Sequence, residues 1–99
     1  MILELLESGE AGVQAARERL EAANVEPYAW SNGPGDRYAA HEHRTTKLLI
    51  CALGSITFLV GSDEQPVKLS AGDGFVIPAG ARHAAVVGPD GCTCLEGHR

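Results

Sequence analysis

The stretch HEHRTTK, residues 41–47, holds the residues most able to do chemistry. Alternate side chains of a β-strand share a face, so His41 and His43 project the same way while Glu42 points to the opposite side. Two imidazoles placed in this way can share one metal ion. The pair alone is weak evidence for a metal site, because histidines also lie on exposed strand faces without a ligand.

The elements that position this pair are short strands. After Pro27, runs rich in valine, isoleucine, leucine and aromatic residues alternate with clusters of Gly, Pro, Asn and Asp. This spacing is typical of an all-β sandwich or barrel. The uncharged run 48–62, interrupted by Gly54 and Ser55, predicts a buried hairpin. We predict strands at 28–31, 37–43, 47–53, 55–60, 67–69, 74–77, 83–87 and 93–96.

An amphipathic helix is predicted at 9–23, where apolar residues recur three or four positions apart. Ser8 is its predicted N-cap, and Asn24 is its predicted stop. With 99 residues, the chain has room for a single core. We therefore expect one domain overall, with an N-terminal helix and lead-in at 1–26 and a β-barrel at 27–99.

Composition excludes several partners. The net charge of −5 and the scattering of the eight Lys and Arg residues argue against nucleic acid. The uncharged run 48–62 is too short for a membrane-spanning helix. The N-terminal MILELLESGE carries acids where a secretory signal carries basic residues, which predicts a cytoplasmic protein. The three cysteines follow no metal or disulfide spacing and are predicted to be small core residues.

Two groups of residues together resemble the motifs of a small single-domain bacterial cupin. They span residues 35–87, more than half of the chain, and their spacing is specific for the fold. The first group is Gly35, His41-x-His43, Lys47 and Gly54, and the second is Gly72, Pro78-x-Gly80 and His83. The resemblance implies a single small antiparallel β-barrel, or jelly roll, preceded by a short N-terminal α-helix.

The same resemblance implies a metal site with three histidine ligands, His41, His43 and His83. The family's acidic ligand does not carry over, because Lys47 occupies its position, and Val87 stands where the family has asparagine. Three neutral nitrogen donors suit divalent iron, nickel, zinc, copper or manganese without selecting among them.

Lys47 is a candidate catalytic residue with several interpretations. A protonated lysine about 5 Å from a divalent cation is repelled by on the order of 6 kcal/mol at an effective dielectric constant of about 20. The lysine can lose its proton and act as a general base, swing away, or share a bound anion with the metal. We favour the shared anion. In the alternative interpretation, Lys47 has no functional role and extends to solvent at the barrel rim.

Other residues complete the predicted site. Glu96 has the same strand parity as Cys92 and Cys94 and so could reach the barrel interior, but we interpret it as a solvated C-terminal acid. An eight-stranded barrel holds at most one small ligand. The predicted wall residues, which are also candidates for plain core, are Trp30, Tyr38, Phe58, Phe75 and Ile77.

Two classes of function follow from the resemblance. The first is a metal-binding protein that binds or acts on a small oxyanionic molecule. If it is an enzyme, dioxygenase, isomerase and lyase chemistry all fit. The alternative is a non-catalytic small-molecule binding or sensing module. A third possibility is a degenerate scaffold that makes a dimer contact, and a homodimer is expected in each case.

Overall fold

The computed structural model describes residues 2–99, which form one α-helix and six β-strands. All six strands belong to one antiparallel sheet with the order β1-β6-β3-β4, in which β2 also pairs with β6 and β5 with β3. The predicted all-β fold with a short N-terminal helix is confirmed. The elements are α1 Val13–Ala22, β1 Tyr28–Asn32, β2 Arg37–His41, β3 Lys47–Val60, β4 Gln65–Ser70, β5 Gly74–Ile77 and β6 His83–His98.

The long strands β3 and β6 pair with each other and give the sheet its jelly-roll shape. The first half of β3 also pairs with β5, and its second half pairs with β4. The first half of β6 pairs with β2, and its second half pairs with β1. Each long strand therefore passes from one wall of the barrel to the other.

The predicted hairpin within 48–62 is wrong, because the chain continues as one strand through Gly54. The pairing of β3 with β6 shifts register between Cys51 and Leu53 and again between Gly54 and Ile56. Bulges of this kind bend a strand and raise its twist without reversing it. The predicted strands 83–87 and 93–96 are likewise parts of one strand, β6, with a bulge between them. The bends let both strands curl around one core.

Substitution of Gly54 by alanine should be costly. Gly54 has φ +73°, and a Cβ there would lie 2.0 Å from the Gly91 carbonyl oxygen. Gly80 has a similar φ of +77° with no atom within 4 Å, so it is a matched control. The left-handed backbone alone costs an alanine about 1–2 kcal/mol. We expect Gly54→Ala to lower the free energy of unfolding in urea by at least about 2 kcal/mol more than Gly80→Ala does. Equal losses would show that the close approach to Gly91 does not matter.

Apolar residues form two layers. Inside the barrel lies a cluster that includes Leu49, Phe58, Phe75 and all three cysteines, which are free and buried as predicted. A second layer fills the space between α1 and the outer face of the sheet. Its buried members are Ala16, Leu20, Val25, Leu48, Ile50, Ala52, Val76 and Leu95.

The helix is shorter than predicted. Gly12 is its N-cap and makes no side-chain cap hydrogen bond, whereas the Ser8 hydroxyl donates to the Asp73 carboxylate at 2.5 Å. The predicted Ser8 cap is therefore wrong, because Ser8 ties the lead-in to the turn before β5. Asn24 follows the helix with φ +61°, as expected for a stop. Among residues 2–99, no helix is long and apolar enough to cross a membrane.

Candidate metal centre

Three histidines converge at one end of the barrel. His41 is the last residue of β2 and pairs with His83, the first residue of β6, while His43 lies just beyond the end of β2. One ligand nitrogen from each ring lies within 4.8 Å of the other two. The ring centroids of His41 and His83 are 4.4 Å apart, and those of His43 and His83 are 5.1 Å apart. We call these residues the three-histidine cluster.

Two of the rings are held in a tautomer that leaves one ring nitrogen free to bind a metal. Nδ1 of His41 lies 2.9 Å from the Ala39 carbonyl oxygen, and Nδ1 of His83 lies 2.9 Å from the Ala81 carbonyl oxygen. A carbonyl oxygen can only accept, so each Nδ1 carries the proton and each Nε2 keeps its lone pair. Histidine ligands of metals are commonly oriented by such a second hydrogen bond.

The neutral form is favoured for His43 and His83. Burial lowers the pKa of His43, and the positive charge of Lys47 lowers it further. Burial also lowers the pKa of His83, although the hydrogen bond with Ala81 partly offsets this effect. A neutral imidazole is the form that binds a metal, since protons compete for the same nitrogen. The cluster could therefore bind a divalent transition metal at neutral pH.

The cluster opens into a cavity of about 200 Å³, which we call the barrel pocket. Its walls combine an apolar side with several polar side chains, and the predicted wall residue Phe75 is not among them. An open pocket does not match the scaffold alternative, in which side chains fill the barrel. The lining residues are Tyr28, Trp30, Tyr38, His41, His43, Lys47, Leu49, Phe58, Ile77, His83, Ala85 and Glu96.

Lys47 and Glu96 form a buried ion pair in this pocket. The Lys47 Nζ lies 2.8 Å from the Glu96 Oε2, and the two side chains are 7% and 11% exposed. The indole N–H of Trp30 donates to the other Glu96 oxygen at 2.7 Å. The Lys47 Nζ also donates to the Tyr28 hydroxyl at 3.1 Å. These contacts hold both charges inside the barrel.

Both members of the pair are charged at neutral pH. Burial lowers the pKa of Lys47, but the hydrogen bonds and charge of Glu96 and Tyr28 more than offset this effect, and the net shift is upward. Burial raises the pKa of Glu96, but Lys47 and Trp30 lower it more strongly. A protonated Lys47 does not favour the general-base alternative.

Two predictions about these side chains are corrected. Lys47 does not extend to solvent, since the whole residue is 6% exposed, and Glu96 is not a solvated acid, since it is 8% exposed. The sequence-based alternatives for Lys47 did not include neutralisation by the protein's own carboxylate. The sequence feature that indicated this partner is the alternation of Cys92, Cys94 and Glu96 along one strand, which places all three on the same face. Both cysteines are buried.

The geometry agrees with the comparisons to known proteins. The cupin domain family matches residues 30–95, well over half of the chain, and the protein therefore belongs to the cupin family. No curated protein matches the sequence.

Solved cupin structures are similar over about three quarters of this chain. KdgF from Halomonas sp. is 24% identical with a TM-score of 0.61, and the match covers 74% of this chain and 67% of KdgF. The DMSP lyase DddQ from Ruegeria pomeroyi is 25% identical with a TM-score of 0.67, over 74% of this chain and 36% of DddQ. An RmlC-like cupin from Shewanella frigidimarina is 24% identical with a TM-score of 0.65, over 75% of this chain and 64% of the other. Much of each solved protein, most of all DddQ, lies outside the match.

Proposed function

We propose that this cupin binds one divalent transition-metal ion through His41, His43 and His83 and binds a small oxyanionic molecule beside it. The observation that carries the proposal is the fixed tautomer of His41 and His83, whose Nδ1 protons are donated to backbone carbonyls. When bound, the ion supplies a Lewis acid with open coordination positions. The protein's residues supply neutral donors and a small pocket.

Charge in the pocket favours an anionic ligand. An imidazole that binds a metal is uncharged, and the charges of Lys47 and Glu96 cancel each other at 2.8 Å. Among the pocket residues that the structure describes, Glu96 is the one carboxylate, and it is engaged by Lys47 and Trp30. The protein therefore leaves the charge of a bound cation unbalanced, and an oxyanion balances it.

The proposal is tested with acetate and with acetamide, a neutral molecule of nearly the same shape. We expect calorimetry to detect acetate binding to the zinc-loaded protein and not to the metal-free protein. Acetamide should bind at least about tenfold more weakly, because it lacks the charge that the ion attracts. Equal binding of acetate with and without zinc would contradict a metal-centred oxyanion site.

The reaction class rests on similarity alone. DddQ is a DMSP lyase, so among dioxygenase, isomerase and lyase chemistry the comparison supports a lyase. A non-catalytic binding module is the second candidate. It is favoured by the engagement of Lys47 with Glu96, since two groups that neutralise each other are not free to move a substrate proton.

A further inference from the structure

One N–H group of the Lys47 ammonium is not bonded to another described residue of the protein. A lysine carries three N–H donors. Within residues 2–99, the Lys47 Nζ has two hydrogen-bond partners, Glu96 Oε2 at 2.8 Å and the Tyr28 hydroxyl at 3.1 Å. Lys47 lines the barrel pocket and is otherwise buried. A ligand that fills the pocket must offer an acceptor to this N–H, because a buried N–H without an acceptor costs free energy.

Glu96 determines whether the ligand oxygen that accepts this hydrogen bond can carry a negative charge. The carboxylate of Glu96 already balances the ammonium group, and Trp30 holds this carboxylate in place. A second anionic group beside Lys47 would lie next to Glu96 and leave one negative charge without a partner in a buried site. A carbonyl or hydroxyl oxygen accepts the same hydrogen bond without that penalty.

The rest of the pocket limits the size of the ligand. The walls also include the apolar side chains of Leu49, Phe58, Ile77 and Ala85. A volume of about 200 Å³ is several times the ~30 Å³ that one water molecule occupies, and it lies below the range usual for drug-sized ligands. A short hydrocarbon body fits these walls.

From these observations, and resting on the proposed function, we infer that the ligand is a short-chain monocarboxylate that also carries an uncharged oxygen acceptor. A small oxo acid or hydroxy acid has this chemistry. Its carboxylate faces the three-histidine cluster, and its carbonyl or hydroxyl oxygen accepts the remaining N–H of Lys47. Lys47 is therefore a specificity-determining residue, and Glu96 sets the charge that it can accept.

The test compares butyrate, 2-oxobutyrate and methylmalonate, which have similar sizes. Binding to the zinc-loaded protein is measured by calorimetry and by the fluorescence of Trp30, the single tryptophan of the chain. The comparison protein is the double variant Lys47→Met with Glu96→Gln, which removes both charges together and so avoids an unpaired buried charge. Its fold is checked by circular dichroism and its zinc content by elemental analysis.

We expect 2-oxobutyrate to bind the zinc-loaded protein more tightly than butyrate, and methylmalonate to bind more weakly than 2-oxobutyrate. Because oxo acids can also chelate zinc directly, the informative quantity is the ratio of the butyrate and 2-oxobutyrate dissociation constants. This ratio should be about tenfold larger in the wild-type protein than in the double variant, which is the size of one good hydrogen bond. An unchanged ratio, or tighter binding of methylmalonate, would overturn the inference and leave the proposed function intact. Failure of butyrate, 2-oxobutyrate and methylmalonate all to bind the zinc-loaded protein would overturn both.

Discussion

Substitution of Lys47 by methionine should lower the free energy of unfolding by about 3–5 kcal/mol. The reason is the carboxylate left behind. Glu96 is 8% exposed, and its nearest positive charge is the Lys47 Nζ at 2.8 Å. A buried charge that has lost its partner retains its full desolvation cost. Urea denaturation of the metal-free protein at neutral pH gives the change directly.

The double variant Lys47→Met with Glu96→Gln is the control for this prediction. With both charges removed, the loss should be smaller than that of Lys47→Met alone, because the cost of the single variant comes from the isolated charge. A single variant as stable as the wild-type protein would show that Glu96 reaches solvent and that the pair is not buried.

The pH dependence of the pair has a definite sign. The pKa of Glu96 is lowered from its ordinary 4.5, so its stabilisation is complete above pH 4.5 and is lost as the pH falls through the folded-state value. The pKa of Lys47 is raised from its ordinary 10.5, so its stabilisation is complete below pH 10.5 and is lost as the pH rises through the folded-state value. The contribution of the pair to stability should be constant between these limits.

Substitution of His83 by alanine should weaken zinc binding by more than about 100-fold. Loss of an outer hydrogen-bond partner of a metal ligand typically costs about 10–100-fold, and loss of the ligand itself costs more. Burial makes His83 important for packing as well, since it is 3% exposed. The variant His43→Ala tests the metal site separately from core packing, because His43 is only partly buried and lies outside the strands.

The control for the histidine variants is His98→Ala. His98 is an exposed residue at the end of β6, and its ring nitrogen lies 2.6 Å from the Thr45 hydroxyl, outside the three-histidine cluster. Competition with a chromophoric zinc chelator measures all three variants on one scale. A loss of affinity in His98→Ala equal to that in His83→Ala would contradict the assignment of the cluster as the metal site.

The sequence was sufficient to predict the fold and to predict that the three histidines lie close together. Turn residues at regular intervals predicted an all-β chain, and the spacing of His41, His43 and His83 within two cupin motifs predicted that they lie together. The ligand role of these histidines, the homodimer, the cytoplasmic location and the division at residue 26 stay predictions.

The partner of Lys47 was not predictable, because it depends on strand register. Glu96 lies opposite Leu49, and Lys47 is two residues from Leu49, so the two charged side chains are diagonal neighbours on one face. This register is set by the bulges beside Gly54, where the sequence predicted a hairpin turn. A strand pairing shifted by one residue would place Glu96 on the other face.

Metal binding by the three-histidine cluster is tested most directly by the metal content of the protein. The protein is purified without chelator or added metal, incubated with iron, nickel or zinc salts, and analysed by elemental analysis beside the double variant His41→Ala with His43→Ala. We expect close to one ion per chain in the wild-type protein and none in the variant. Absence of metal from the wild-type protein after all three incubations, or equal metal in both proteins, would contradict the account.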